Sequence, residues 1–142
     1  MHAALAMARK AASWGDVPVG AVVARQGCIL SAAANEREKR EDPTAHAEML
    51  ALRRAAKKLG TRRLDGCVLY VTLEPCAMCA GAIAASRLTG VVYGAFDKVA
   101  GCAGSVYELC GDAALGNGVP VIGGVLQDQC AAVLSDFFKR VR

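Results

Sequence analysis

Four side chains in two short motifs could together carry out metal-assisted hydrolysis. His46 and Glu48 stand two residues apart in the sequence. Cys76 and Cys79 stand three apart, directly after Pro75. A zinc ion that only stabilises a fold takes four protein ligands, whereas a hydrolytic zinc takes three and leaves a position for water. The imidazole and two thiols would supply three ligands and leave the carboxylate free, so the pattern predicts a zinc ion that generates hydroxide.

The other histidine and cysteines do not extend this set to a closed four-ligand site. His2 stands at the start of the chain, and no second pair of cysteines has the Cys-x-x-Cys spacing of a zinc ribbon. The five other cysteines lie in apolar or glycine-rich surroundings: Cys28, Cys67, Cys102, Cys110 and Cys130. Because a chain this rich in aliphatic residues does not need a disulfide framework, we expect reduced thiols.

Composition predicts one globular domain over residues 1–142. Of the 142 residues, 54% are apolar and 21% are charged, which is enough apolar content for a core. The sequence has no run of 18 apolar residues and no secretory signal, so we expect a cytoplasmic protein without a membrane segment. A formal net charge of +4 permits a nucleic-acid partner without demanding one.

Apolar periodicity and turn residues predict a helix, a hairpin and then alternating helices and strands. The predicted elements are a helix over 3–13, hairpin strands over 20–24 and 28–33, a charged loop over 35–43, a helix over 45–59, a strand over 67–73, a helix from 75 to about 86, a strand over 89–94, a loop over 95–105, a short strand over 119–122 and a helix over 127–140. This order favours a mixed sheet covered by helices on both faces.

The predicted helices restrict where the motif residues can meet. Residues two apart in a helix point about 200° apart, so His46 and Glu48 can face one metal ion only where a helix begins. Cys76 and Cys79 share a helix face, and Pro75 is expected to place both in the first turn. The partial positive charge at a helix N-terminus would stabilise their thiolates.

This set of side chains favours hydrolytic deamination. A zinc ion held by two thiolates and an imidazole can still acidify water to a pKa of about 7. Glu48 could carry the proton to a ring nitrogen and then to a leaving amine. The His-Glu-x-x-His motif of zinc peptidases is absent. A buried histidine, a surface glutamate or a redox dithiol would each explain one motif alone, but the combination is typical of zinc-dependent nucleobase deaminases.

The sequence resembles the bacterial tRNA-specific adenosine deaminases, which convert the wobble adenosine of an anticodon to inosine. The similarity runs along nearly the whole chain. The blocks that carry it are residues 16–22, 42–48, 69–76 and 78–82, with further stretches at 94–97, 101–105 and 134–138.

The resemblance implies specific roles and a specific fold. The implied zinc ligands are His46, Cys76 and Cys79, the implied proton carrier is Glu48, and the implied substrate contacts are Asn35, Asp97 and Ala47. Of these contacts, Asn35 would hold the flipped nucleoside and Asp97 the sugar of a neighbouring nucleotide. The family implies a cytidine-deaminase-like three-layer α/β/α sandwich with a mixed, about five-stranded sheet. It also implies one zinc ion per subunit, a homodimer, and a tRNA anticodon stem-loop as partner.

Two other functions remain open from the residues alone. A deaminase of a free base or nucleoside, such as guanine, cytosine or cytidine, would use the same metal chemistry, because pocket shape and loops set the substrate. A non-catalytic, zinc-stabilised nucleic-acid-binding module is the other alternative. The block after Cys79 and the Phe137-Phe138 pair favour tRNA over free bases, and the presence of Glu48 argues against a non-catalytic role.

Overall fold

Five strands form one mixed sheet at the centre of the molecule. The computed structural model describes residues 1–116 and 118–142. The strands are β1 (Gly20–Arg25), β2 (Cys28–Ala34), β3 (Cys67–Leu73), β4 (Gly90–Ala95) and β5 (Val121–Ile122), and they lie in the order β2-β1-β3-β4-β5. β1 is antiparallel to β2 and β3, whereas β3, β4 and β5 run parallel to one another.

Helices cover both faces of this sheet. They are α1 (His2–Ser13), α2 (Arg37–Arg40), α3 (Ala47–Leu59), α4 (Ala77–Ser86) and α5 (Gln127–Val141). The larger apolar cluster packs α3 and α4 against one face, and a smaller cluster packs α1 and α5 against the other. The predicted three-layer α/β/α sandwich with a five-stranded mixed sheet is therefore confirmed.

Local sequence explains the hairpin that starts the sheet. Arg25 pairs with Cys28, so the loop has two residues, and both Gln26 and Gly27 have positive φ. Such a turn matches the right-handed twist of the two strands. At the other end of β1, a Cβ on Gly20 would collide with the backbone of α1 at the Ala4 carbonyl oxygen. Glycine therefore allows α1 to pack directly on the strand.

The structure corrects the predicted segment between the hairpin and α3. The region predicted as a loop contains the helical turn α2. The fully buried Asp16 carboxylate caps this turn by accepting hydrogen bonds from the backbone N–H groups of Glu38 (2.8 Å) and Lys39 (3.1 Å). Because the cap comes from a residue 22 positions earlier, local sequence does not reveal it.

Several predicted element ends were also wrong by one or two residues. The helix predicted from residue 45 begins at Ala47, and the helix predicted from Pro75 begins at Ala77. The last strand is confined to Val121–Ile122, and β4 is shifted by one residue towards its C-terminal end. The strand predicted over 67–73 has the same bounds in the structure.

The cysteines agree with a reduced protein. All seven are free thiols, as predicted. Cys28 is exposed, whereas Cys67, Cys102, Cys110 and Cys130 are buried. Among the helices that the structure describes, none is long and apolar enough to cross a bilayer.

Candidate metal centre and active-site cavity

Two helix N-termini bring the motif residues together. His46 is the N-cap of α3 and Cys76 is the N-cap of α4, and both have extended backbone conformations. Neither side chain makes a capping hydrogen bond, so both remain available to a ligand. Glu48 is the second residue of α3, and Cys79 is the third of α4. Because His46 lies outside the helix proper, its side chain is not held about 200° away from that of Glu48.

The three candidate ligand atoms form a compact triangle. His46 Nδ1 lies 3.7 Å from Cys76 Sγ and 3.6 Å from Cys79 Sγ. All three atoms are within 4.8 Å of one another, and the group could hold a metal ion. A tetrahedral zinc with ordinary Zn–N and Zn–S bonds separates its nitrogen and sulfur ligands by about 3.6 Å. The donor types and the spacing therefore both fit zinc, with three protein ligands rather than four.

Electrostatics around the triangle favour a thiolate. A hydrogen bond from Cys79, together with one from His46, lowers the pKa of Cys76 to about 4. The hydrogen bond to Cys76 raises the pKa of Cys79, and burial raises it further. The hydrogen bond to Cys76 also raises the pKa of His46. The hydrogen bond thus favours the thiolate of Cys76 and the protonated thiol of Cys79. A metal cation bound by both sulfur atoms would displace the proton of Cys79 as well.

Glu48 lies beside this triangle and is almost completely buried. Its exposed fraction is 4%. Burial raises the pKa of Glu48 to about 7, because removal from water penalises the carboxylate form. A carboxyl group that titrates near neutral pH can accept a proton and release it again during one reaction.

A cavity of about 170 Å³ opens onto these groups. Its polar walls come from Asn35, Glu48 and Asp97, and the candidate ligands His46 and Cys76 also line it. The apolar part of the wall comes from Val17, Val19, Leu73 and Ala100. A mostly apolar pocket with a few converging polar groups is the usual form of a small-molecule or base-binding site.

Asn35 presents an unsatisfied acceptor within this wall. Its exposed fraction is 6%, and its Nδ2 donates to the Val17 carbonyl oxygen at 3.1 Å. Among the buried side chains that the structure describes, only Asn35 Oδ1 lacks a hydrogen-bond partner. Because buried polar atoms are rarely left unpaired, this oxygen indicates a position where a ligand N–H or O–H would bind.

Of the other two predicted substrate contacts, Asp97 lies in the cavity wall and Ala47 does not. Asp97 lines the cavity, and its Oδ1 accepts hydrogen bonds from the backbone N–H groups of Val99 (2.9 Å) and Ala100 (3.0 Å). Ala47 does not line the cavity, because its side chain is fully buried in the core. As the first residue of α3, it still has a backbone N–H without an acceptor in its own helix.

Two charged residues of the cavity wall were not assigned to the pocket by the sequence interpretation. Arg37 brings a cation to the cavity, and Glu74 brings a buried carboxylate. A charged residue at the end of the apolar strand β3, directly before Pro75, was the available signal for Glu74. Arg37 lies in a run of charged residues where nothing in the sequence distinguishes it from its neighbours.

Comparison with known proteins shows similarity along the whole chain. The sequence model of the MafB19-like deaminase family matches residues 1–142. A relative from Bacillus subtilis (strain 168), called tRNA-specific adenosine deaminase, is 46% identical over 100% of this chain and 88% of its own length. One of the same name from Aquifex aeolicus (strain VF5) is 43% identical over 100% of this chain and 93% of its own length.

Solved structures show the same fold. One, from a study of A-to-I editing by tRNA:A34 deaminases at the wobble position, superposes with a TM-score of 0.91 at 37% identity. It covers 94% of this chain and 97% of its own. A guanine deaminase from Nitrosomonas europaea gives a TM-score of 0.81 at 28% identity, over 94% of this chain and 80% of its own. The predicted cytidine-deaminase-like fold is confirmed by these neighbours.

Proposed function

Because this chain belongs to the MafB19-like deaminase family and, within it, to the tRNA-specific adenosine deaminases, we propose that it deaminates the wobble adenosine of a tRNA anticodon loop to inosine. The observation that carries the proposal is the cavity that joins a His-Cys-Cys triangle, a buried carboxyl and an unpaired amide oxygen. The reaction consumes water and releases ammonia.

We propose that His46, Cys76 and Cys79 hold one zinc ion per subunit. Their spacing matches the tetrahedral geometry of zinc. The side chains of the N-cap residues His46 and Cys76 make no capping hydrogen bonds, so both can bind the metal. Bound zinc would supply the nucleophile by lowering the pKa of water towards about 7. With three protein ligands, the site would retain the open position that hydrolysis requires.

Glu48 is proposed to move the proton in this reaction. Its carboxyl group faces the cavity and titrates near neutral pH because it is buried. It would accept one proton from the attacking water and donate it to a ring nitrogen as C6 of adenine becomes tetrahedral. It would then take the second proton from the new hydroxyl on C6 and pass it to the amino group, which leaves as ammonia. The carboxyl group carries protons in both directions and is unchanged at the end.

The substrate contacts are proposed on different grounds for each residue. The unpaired Oδ1 of Asn35 would accept a hydrogen bond from the flipped nucleoside. Asp97 would use its second carboxylate oxygen to contact the sugar of a neighbouring nucleotide, because its Oδ1 already accepts two backbone hydrogen bonds. Ala47 would act through its backbone N–H alone.

We further propose a cytoplasmic homodimer whose subunits are single domains over residues 1–142. The proposed location follows from the proposed substrate, because mature tRNA is used in the cytoplasm. Arg37 places a cation at the cavity for this RNA. The chain after β4 exposes several large apolar side chains: Phe96, Val106, Tyr107, Leu115 and Ile122. A dimer interface would cover such side chains. Sedimentation at assay concentrations showing only the 14.7 kDa monomer would exclude the dimer.

The proposed substrate can be tested by incubating purified, zinc-loaded protein with an anticodon stem-loop that carries adenosine at the wobble position. We expect inosine at that position and no ammonia from guanine, cytosine or cytidine. A stem-loop with guanosine at the same position is the matched control. Ammonia released from guanine, with an unmodified stem-loop, would assign the protein to free-base deamination.

Replacing Asn35 with alanine is expected to lower kcat/KM for the stem-loop about tenfold, the ordinary effect of one lost hydrogen bond. The zinc content should not change, because Asn35 is not in the ligand triangle. Steady-state kinetics and metal analysis of the same preparation measure both quantities. An unchanged kcat/KM in a folded, zinc-loaded variant would remove Asn35 from the substrate contacts.

A further inference from the structure

One buried carboxylate in the cavity wall has no part in the reaction proposed above. Glu74 is 2% exposed and directly follows β3. Within residues 1–116 and 118–142, no lysine or arginine forms a salt bridge with it. A buried charge without a cation is costly unless hydrogen bonds compensate for the lost water.

Hydrogen bonds from a single loop provide this compensation. Glu74 Oε1 accepts from the backbone N–H groups of Ala103 (3.1 Å) and Ser105 (2.9 Å). Glu74 Oε2 accepts from the backbone N–H of Asp97 (2.9 Å) and from the Ser105 hydroxyl. All four donors belong to residues 97–105, so one carboxylate holds both ends of this loop.

The donor types require a carboxylate and not merely a polar group. A backbone N–H can only donate, and such donors face both oxygens of Glu74. A glutamine has one carbonyl oxygen, so its NH₂ group would have to face an N–H donor. If the glutamine carbonyl oxygen accepted the hydrogen bonds from Ala103 and Ser105, the backbone N–H of Asp97 would lose its acceptor.

Backbone hydrogen bonds connect the same loop to the metal-ligand segment. Cys102 N–H donates to the Pro75 carbonyl oxygen at 2.8 Å, and Glu74 N–H donates to the Ala95 carbonyl oxygen at 2.9 Å. A Cβ on Gly101 would collide with Glu74 and with the Asp97 carbonyl oxygen, so the loop packs directly on the carboxylate. The segment that leads into the candidate ligand Cys76 therefore also anchors the part of the cavity wall that Asp97 and Ala100 form.

We propose that Glu74 is a positioning residue that fixes residues 97–105, and with them the cavity wall at Asp97 and Ala100, relative to Cys76. The inference rests on the proposed function, because its effect is read from stem-loop deamination. Glu74 would touch neither the substrate nor the metal. It would keep the sugar-contacting wall ordered beside the reacting centre, so that substrate binding does not have to order this wall.

The test compares Glu74→Gln with wild-type protein in stem-loop deamination, with zinc content and thermal unfolding measured on the same samples. We expect KM to rise roughly tenfold or more, as for the loss of a hydrogen bond to a charged group, with zinc still bound. A purely structural role would reduce the number of folded molecules, and hence the apparent kcat, without changing KM. An unchanged KM in Glu74→Gln would therefore overturn the proposal.

Two variants with smaller changes test the proposal even if Glu74→Gln does not fold. Ser105→Ala removes only one hydroxyl donor to Glu74. Ser31→Ala is the control, because it removes a buried hydroxyl of β2 that donates to the Ala51 carbonyl oxygen in α3. We expect Ser105→Ala to raise KM about threefold to tenfold and Ser31→Ala to leave it unchanged. Equal KM values for both variants would contradict the proposal. Wild-type protein that forms no inosine would instead refute the proposed function.

Discussion

Replacing Glu48 with glutamine is expected to lower kcat for stem-loop deamination by about 100- to 10,000-fold, the usual contribution of a positioned acid–base group. The glutamine side chain has nearly the same shape but cannot exchange a proton at neutral pH. Glu48 is also separate from the His-Cys-Cys triangle, so zinc should remain bound. Single-turnover inosine formation and elemental analysis would measure the two effects on one preparation.

Glu36→Gln is the matched control for this variant. Glu36 is also buried, at 8% exposed, but it does not line the cavity and instead pairs with Arg40 and Arg54. We expect this change to alter kcat by no more than a few-fold, because mainly half-exposed ion pairs are lost. Full activity of a zinc-loaded Glu48→Gln variant would exclude Glu48 as the proton carrier.

Replacing Cys79 with alanine is expected to remove zinc and to lower deamination by about a thousandfold or more, because the nucleophile at neutral pH depends on the metal. Cys79 is fully buried, and its Sγ lies 3.6 Å from His46 Nδ1. Two remaining ligands cannot complete the three-ligand site of a catalytic zinc. Zinc per chain by elemental analysis should fall from about one to near zero.

Cys110→Ala separates loss of a ligand from loss of a buried thiol. Cys110 is buried to a similar degree, at 1% exposed, and lies outside the triangle. Both variants lose a sulfur atom from the core and should lose comparable packing energy. Only Cys79→Ala should lose zinc and activity. If the two variants kept equal amounts of zinc, the proposed ligand set would be wrong.

Predictions from sequence succeeded where local pattern controls structure. The bounds of β3 follow from one apolar run. The hairpin was predicted from the glycine-containing connection over 25–27, which in the structure is shorter, at the two residues Gln26 and Gly27. The predicted helix starts were less accurate. His46 and Cys76 are compatible with a helix in sequence, but in the structure they are N-cap residues with extended backbone conformations. The helical turn α2 was missed because its cap, Asp16, is remote in sequence.

The amino-acid sequence by itself determined the chemical character of this protein. Ligand types, their spacing and the nearby carboxylate are local properties, and together with the longer blocks of similarity they indicated the family, which the comparisons confirm. The proposed roles of the individual site residues remain predictions.

Only the tertiary structure decided how the site is enclosed and held. The unpaired oxygen of Asn35, the cation of Arg37 and the loop anchored by Glu74 depend on contacts between segments far apart in the chain. Whether a buried polar atom has a partner is set by the folded surroundings and not by its sequence neighbours. For this reason the sequence could indicate the reaction, whereas the residues that position its components emerged only from the fold.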